Sequence, residues 1–175
     1  MQFVISFIFS LALASALRAQ SSTPVVSPSP PPACTAPAFR QFDFWLGKWN
    51  VINPKNNKQS GTSEISRVSE GCAILEQWKA VSGTAGMSVN YYDPADRKWH
   101  QDWVGGDGTI LHLRGELVGN AMILSGETKT SKDTTLNRIT WTPLEGGRVK
   151  QEWVISSDNG RTWQISFVGV YEKQS

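Results

Sequence analysis

Three tripeptides place an acid or an amide two residues before a tryptophan: Glu76-Gln77-Trp78, Gln101-Asp102-Trp103 and Gln151-Glu152-Trp153. In a β-strand, residues i and i+2 lie on the same face, so each polar group shares a face with its tryptophan. Aromatic walls with a few hydrogen-bonding groups are the usual construction of a small-molecule site. The candidate binding residues are Glu76, Trp78, Trp99, Gln101, Trp103, Gln151 and Trp153, where Trp99 extends the second series.

Two other arrangements fit the same pattern. The polar groups could satisfy one another inside a packed core, or the tryptophans could lie outside on a second packed surface. The chain has 8 tryptophans, and each supplies a large apolar area with a single N–H donor. These tryptophans could line a site for a ring-bearing or amphipathic ligand, and they could equally well fill a packed core.

Residues for catalysis or metal binding are few. The 2 histidines, His100 and His112, lack the spacing of a metal site, and nothing else supports a haem, so no metal or cofactor is expected. We expect His100 to face solvent beside Asp102 and His112 to lie near Arg114. No nucleophile elbow, phosphate loop or Ser-His-Asp arrangement is present. Glu76 or His112 acting as an acid/base in the same lumen is the alternative, in which the protein is an enzyme.

The elements that must position these side chains are short runs of β-branched and aromatic residues, bounded by Gly, Pro, Asn and Asp. They predict an all-β fold, an antiparallel up-and-down β-barrel of about ten strands, whose closure removes exposed edges. The strands are predicted over residues 47–53, 61–68, 72–81, 87–93, 98–104, 109–117, 121–128, 135–142, 149–156 and 162–171.

One end of this barrel is predicted to be plugged. Gly47 permits a tight bend at the start of the first strand, and the indole of Trp49 can then fill the barrel end. Residues 38–46 carry Phe39, Phe42 and Leu46 at helical spacing, which predicts a short helix across that end.

Two segments precede the predicted barrel domain of residues 38–175. Residues 3–13 are an apolar run of signal-peptide length that is followed by small residues, which predicts a signal peptide over residues 1–19. We therefore expect a secreted or periplasmic protein with no membrane span after cleavage. An uncleaved N-terminal anchor is the alternative, because no Lys or Arg precedes the apolar run. Residues 20–37 form a Pro/Ser-rich linker that cannot bury a core.

Cysteine content and charge limit the partners. Cys34 and Cys72 are predicted to form a disulfide, because export implies an oxidising compartment. The alternative is a free thiol in the linker and a buried small side chain. The formal charge of +2 is near balance and its bases are scattered, so neither nucleic acid nor an anionic membrane is an expected partner. The sequence specifies no oligomeric state.

Two resemblances follow from these motifs. The segments FDFWLGKWNV, GCAILEQW, GMSVNYYDPADRKWHQDWVGGDG and RITWTPLEGGRVKQEWVISSDNGRTWQISFVGVYEK resemble a family of exported bacterial domains of unknown function that share an FDFW(L/I)GxW opening. That resemblance implies a calycin-like fold, similar to lipocalins and fatty-acid-binding proteins, and it supplies no established set of catalytic residues. Residues 156–163 resemble the Asp-box turn of sialidases, but a single copy in so short a chain does not predict a propeller or carbohydrate hydrolysis.

The function that these observations favour is binding of a small apolar or amphipathic molecule in the barrel lumen. The alternatives are an enzyme with an acid/base residue in that lumen and a structural envelope protein whose barrel is fully packed. A lumenal cavity favours binding, whereas a filled core favours the structural protein.

Overall fold

A computed structural model describes residues 34–131 and 133–174. The signal peptide predicted over residues 1–19 and the linker up to residue 33 lie outside the described residues. Pro37, the last residue of the predicted linker, belongs to the ordered structure as the first residue of a 3₁₀ turn.

Ten antiparallel strands form a closed barrel in which each strand pairs with its neighbours in sequence and β1 pairs with β10. This up-and-down order confirms the predicted fold. The strands are β1 Gly47–Asn53, β2 Lys58–Val68, β3 Ala73–Ala80, β4 Ala85–Asp93, β5 Lys98–Gly105, β6 Ile110–Val118, β7 Ala121–Lys129, β8 Thr134–Pro143, β9 Val149–Ser156 and β10 Gln164–Lys173.

The turn between β9 and β10 explains why β10 begins later than its predicted start at residue 162. Asp158 accepts hydrogen bonds from the Thr162 amide (2.9 Å) and hydroxyl (2.6 Å), which hold the pKa of Asp158 at about 2. Gly160 has a φ of +84°, a region that favours glycine. The Asp-box residues therefore close this hairpin as a local turn.

The N-terminal segment crosses one end of the barrel as two 3₁₀ turns, Pro37–Arg40 and Asp43–Trp45, in place of one continuous helix. Cys34 and Cys72 form the predicted disulfide, which ties the start of this segment to the beginning of β3. Arg67 on β2 forms an ion pair with Asp43. Among the described residues, no helix is long and apolar enough to cross a bilayer.

Aromatic side chains fill the barrel at this end. Phe42 stacks on Trp45 with ring centroids 4.9 Å apart, and both rings contact Trp141 on β8. Trp49 is completely buried, and its indole N–H donates to the Trp45 carbonyl (2.9 Å). We call Phe42, Trp45, Trp49, Trp99 and Trp141 the aromatic plug. It confirms that Trp49 closes one end of the barrel.

The seam between β1 and β10 closes beside this plug. Gly47 has a φ of +140°, which favours glycine. The Lys173 ammonium lies 3.9 Å from the centroid of the Trp49 ring and donates to the Leu46 carbonyl (2.6 Å). Gln174 donates to the Trp49 carbonyl (3.1 Å). The last described residues therefore fasten onto the first strand.

Replacing Trp49 by alanine is expected to lower the free energy of unfolding by about 3–5 kcal/mol, because it leaves a large cavity in the plug. Trp49→Phe keeps much of the ring volume and removes the hydrogen bond to the Trp45 carbonyl, so its loss should be only about 1–2 kcal/mol. Urea unfolding followed by circular dichroism measures both values. A loss below about 1 kcal/mol for Trp49→Ala would contradict the placement of Trp49 inside the aromatic plug.

Candidate functional site

A cavity of about 150 Å³ lies inside the barrel beyond the plug. Six of the seven residues singled out in the sequence line it, so the three polar-x-Trp tripeptides converge as their spacing indicates. Their role in binding stays a prediction. The complete lining consists of Glu76, Trp78, Gln101, Trp103, Leu111, Ile139, Gln151, Trp153, Phe167 and Tyr171.

Strand direction sorts the lining into a polar floor and an aromatic upper wall. β3, β5 and β9 all run from the plugged end toward the open mouth. The polar residue of each tripeptide therefore lies one inward-facing position deeper than its tryptophan. Accordingly, Glu76 and Gln101 are buried, whereas Trp78, Trp103 and Trp153 are partly exposed.

Two indole rings pack against the barrel wall, with their six-membered rings next to glycines of neighbouring strands. A Cβ placed on Gly61 would be 2.6 Å from Cη2 of Trp78, and a Cβ on Gly86 would be 2.5 Å from Cη2 of Trp103. No other residue type leaves room for the six-membered rings at these points. Both indoles also line the cavity.

Trp78 and Phe167 form the edge of the cavity toward the mouth. Their ring centroids are 6.0 Å apart and their planes are nearly perpendicular, at 82°. Both residues also line a more open crevice that includes Asn53 and Lys58, where β1 ends and β2 begins. A ligand entering from this side must therefore pass the Trp78–Phe167 pair.

The floor is built around the carboxyl group of Glu76, which is 4% exposed. Oε1 accepts from the Ser63 hydroxyl (3.1 Å) on β2, and Oε2 accepts from the Ser88 hydroxyl (2.9 Å) on β4. Behind Ser88, the Asn90 amide donates to the Ser88 hydroxyl (2.9 Å), and Gln101 Nε2 donates to Asn90 Oδ1 (2.8 Å). Hydroxyl and amide groups of three strands, β2, β4 and β5, thus hold the carboxyl group in place.

Burial dominates the titration of this floor. Desolvation raises the pKa of Glu76 to about 7, although the surrounding hydroxyl groups of Ser88, Ser63 and Tyr171 favour its charged form. Desolvation together with the Glu76 charge raises the pKa of Tyr171 well above its ordinary value, so the phenol stays neutral. Its hydroxyl donates to Gln151 Oε1. Glu76 is therefore the lining group that changes charge near neutral pH.

Trp99, the seventh candidate, is not among the lining residues. It is buried within the plug, where its indole N–H donates to Gln41 Oε1 (3.1 Å) and its ring meets Phe42 edge-on at 5.6 Å. Trp99 lies one inward-facing position deeper than Gln101, on the plugged side of the floor. The spacing in the sequence correctly predicted that Trp99 faces the barrel interior. It could not predict that the cavity ends above the depth of Trp99.

Both histidines lie on the outer face of the barrel. The His112 side chain is 74% exposed and its Nδ1 is 2.6 Å from Asp102 Oδ1, so His112 cannot act as an acid/base in the lumen. His100, which was expected to face solvent beside Asp102, has a side chain that is 22% exposed; it contacts Asp96 (2.9 Å) and stacks on Tyr91. The register of β5 with β6 places Asp102 opposite His112.

One group of metal-ligating side chains occurs in the described part of the chain. Asp93, Asp96 and His100 each offer a ligand atom within 4.8 Å of the others, at the β4–β5 turn. Asp93 and Asp96 already accept backbone amides of Ala95 and Lys98 within that turn. These contacts account for the cluster as turn structure on the outside of the barrel.

Several lining residues carry no signal in the sequence. Tyr171, Phe167, Leu111 and Ile139 sit in ordinary alternating strands, and only the register places them at the same depth as the tripeptides. The serine donors to Glu76 were equally hidden, because they come from the two flanking strands. Inward-facing glycines beside tryptophan-bearing strands were the one available clue.

A scan against protein-family models and a search of curated proteins both find no match for this chain. We therefore infer function from the geometry of the site itself.

Gly86→Ala is expected to push the Trp103 indole off the wall and into the cavity, because the new Cβ would overlap the ring. The backbone of Gly86 is extended and tolerates alanine, so the fold should persist. Tryptophan fluorescence should shift, and the cavity volume in a crystal structure should fall. The matched control is Met87→Ala, which changes the neighbouring outward-facing side chain. A Trp103 side chain that keeps its position in Gly86→Ala would contradict the packing of its ring against Gly86.

The raised pKa of Glu76 predicts a pH-dependent stability. The unfolded chain releases this proton near pH 4.5 and the native state near pH 7, so the native state binds more protons between these values. Stability contributed by Glu76 therefore falls as pH rises through this window, by up to about 3 kcal/mol. Urea unfolding at pH 5 and pH 8 measures the fall.

Glu76→Gln should remove this fall and be more stable than the parent protein at pH 8. Glu116→Gln, which alters an exposed carboxylate paired with Lys98, is the control that should retain it. An identical pH profile for Glu76→Gln and the parent protein would show that Glu76 titrates normally.

Proposed function

We propose that the barrel lumen binds one compact, amphipathic small molecule. The observation that carries this proposal is a preformed cavity in which aromatic side chains stand above a polar floor. Ligand sites are mostly apolar concave pockets with a few directional polar groups, and this cavity has both parts. A fully packed barrel, as the structural-protein alternative requires, leaves no such space.

The size of the cavity limits the ligand. At about 150 Å³ it matches an engineered protein cavity of about 150 Å³ that accepts benzene, and it is smaller than the roughly 300–1,000 Å³ of drug-sized sites. A single ring or a short branched chain fits this volume. Long fatty acids, isoprenoids and haem exceed it, so the buried part of the ligand is compact.

The fold and the disulfide support the rest of the proposal. A closed barrel with consecutive strand order agrees with the calycin-like relationship suggested by the FDFWLGKW opening. The Cys34–Cys72 disulfide agrees with an oxidising compartment, and together with the predicted signal peptide it supports secretion or export to the periplasm.

An acid/base enzyme in the same lumen is the second candidate, and Glu76 is the observation that favours it. A buried carboxyl group with a pKa of about 7 is suited to transfer protons at neutral pH. The two functions differ in the chemical state of the molecule that the protein releases. A binding protein releases its ligand unchanged, whereas an enzyme alters it, and NMR spectra of a ligand after long incubation distinguish these outcomes.

A one-ring amphipathic probe such as benzyl alcohol is expected to bind saturably, with a dissociation constant in the micromolar to low-millimolar range. Dodecanoate should not compete, because its chain exceeds the cavity. Titration followed by tryptophan fluorescence and by ligand-observed NMR measures binding. Absence of saturable binding to folded protein would refute the lumenal site.

Trp103→Ala should weaken benzyl alcohol binding by about tenfold, since it removes a large part of the apolar wall. Val104→Ala is the control, because this neighbour on the same strand faces outward and is 52% exposed. Equal affinities for these two variants would place the probe elsewhere on the protein.

A further inference from the structure

The floor of the cavity holds a carboxyl group that has no basic partner among the described residues. The groups that reach Glu76 are neutral: the hydroxyls of Ser63 and Ser88, at 3.1 Å and 2.9 Å, and the phenol of Tyr171. Burying an ionised carboxylate without a counter-charge is costly. A site for a purely apolar ligand would not require a carboxyl group in its floor.

The remaining lining does not supply the missing positive charge. No Lys, Arg or His is among the residues around the cavity. The amide nitrogen of Gln101 donates to Asn90 Oδ1 (2.8 Å) and to Ser88 Oγ (3.4 Å). The Oε1 atom of Gln151 accepts a hydrogen bond from the Tyr171 hydroxyl. The floor is therefore electronegative whenever Glu76 is ionised.

The upper wall offers a second kind of cation-binding surface. Trp78 and Trp103 line the cavity and pack against the wall at Gly61 and Gly86. The faces of aromatic rings carry negative potential and attract cations, and tryptophan is the strongest of the aromatic side chains in this respect. Because the glycines leave room for these rings, the two indoles have their place in the wall before any ligand arrives.

We infer that the ligand of this cavity is a compact organic cation, an amine or a quaternary ammonium, whose charge meets Glu76 and whose alkyl groups contact the indole faces of Trp78 and Trp103. This inference rests on the proposed lumenal binding site and specifies its ligand class. The carboxylate supplies the counter-charge and the indoles supply an apolar surface that also favours positive charge. An uncharged ligand of the same shape would leave the buried carboxylate uncompensated.

Binding of a cation is coupled to ionisation of Glu76. The titratable neighbour that faces Glu76 is Tyr171 on β10, which stays neutral; the groups from β2 and β4 are serine hydroxyls. A carboxyl group with a pKa of about 7 is about one-tenth ionised at pH 6 and about nine-tenths ionised at pH 8. Cation affinity should therefore rise about tenfold between these pH values, and a proton should be released on binding at pH 6.

The test compares choline with 3,3-dimethylbutan-1-ol, a neutral molecule of the same shape in which carbon replaces the charged nitrogen. Isothermal titration calorimetry on the mature protein at pH 6 and pH 8 measures both affinities, and buffers of different ionisation enthalpy measure proton release. We expect choline to bind at least tenfold tighter than the alcohol at pH 8, with the alcohol insensitive to pH. This comparison requires only the wild-type protein.

Glu76→Gln should reduce the choline preference to about one and abolish its pH dependence. Glu152→Gln is the control, because it removes a carboxylate from the same tripeptide as Trp153. Glu152 is not among the cavity-lining residues and pairs with Lys150 at 2.8 Å. This variant should keep the preference for choline. Near-UV circular dichroism confirms that both variants are folded.

Two results would overturn the inference, and they differ in what else they refute. If the neutral alcohol binds as tightly as choline, the ligand class is wrong and the lumenal binding site stands. If neither molecule nor benzyl alcohol binds to folded protein, the binding function fails as well. Choline preference that persists in Glu76→Gln would also contradict the role assigned to the carboxylate.

Discussion

The structure depends on one constraint, which is that a closed ten-stranded barrel encloses more space than aliphatic side chains alone can fill. Large aromatic side chains fill this space at one end of the barrel only. Residues before β1 fold across that end and insert Phe42 and Trp45, which pack on Trp49 and Trp141. The disulfide and the Arg67–Asp43 ion pair keep this segment in place. The cavity is the interior volume that the plug does not reach.

Tyr171 connects the filled end to the cavity. Its ring packs edge-on against Trp45 and Trp49, and its hydroxyl takes part in the polar floor through Gln151 and Glu76. A side chain that is apolar along its body and polar at its tip suits this boundary. The rigidity of the plug is thereby transmitted to the floor, and the carboxyl group of Glu76 is held at a fixed depth.

Alternation and turn residues were sufficient to predict the barrel, its strand order and the convergence of Glu76, Gln101 and Gln151, because these features depend on local periodicity. Features that depend on register could not be predicted. The position of Trp103 over Gly86 and the contact of Ser88 with Glu76 join different strands. The contact of Asp102 with His112 likewise depends on the register of β5 with β6.

The fastening of β10 onto β1 has a kinetic consequence. The contacts of Lys173 with Leu46 and of Gln174 with Trp49 join residues 127 and 125 positions apart in sequence. Pairings of such separation form late and slowly, because a long loop must close before they contribute. A nascent chain therefore cannot complete the barrel until its final strand has been synthesised. Until that moment the plug, the floor and the indole walls have no enclosed space to occupy, so the cavity forms only once β10 has paired with β1.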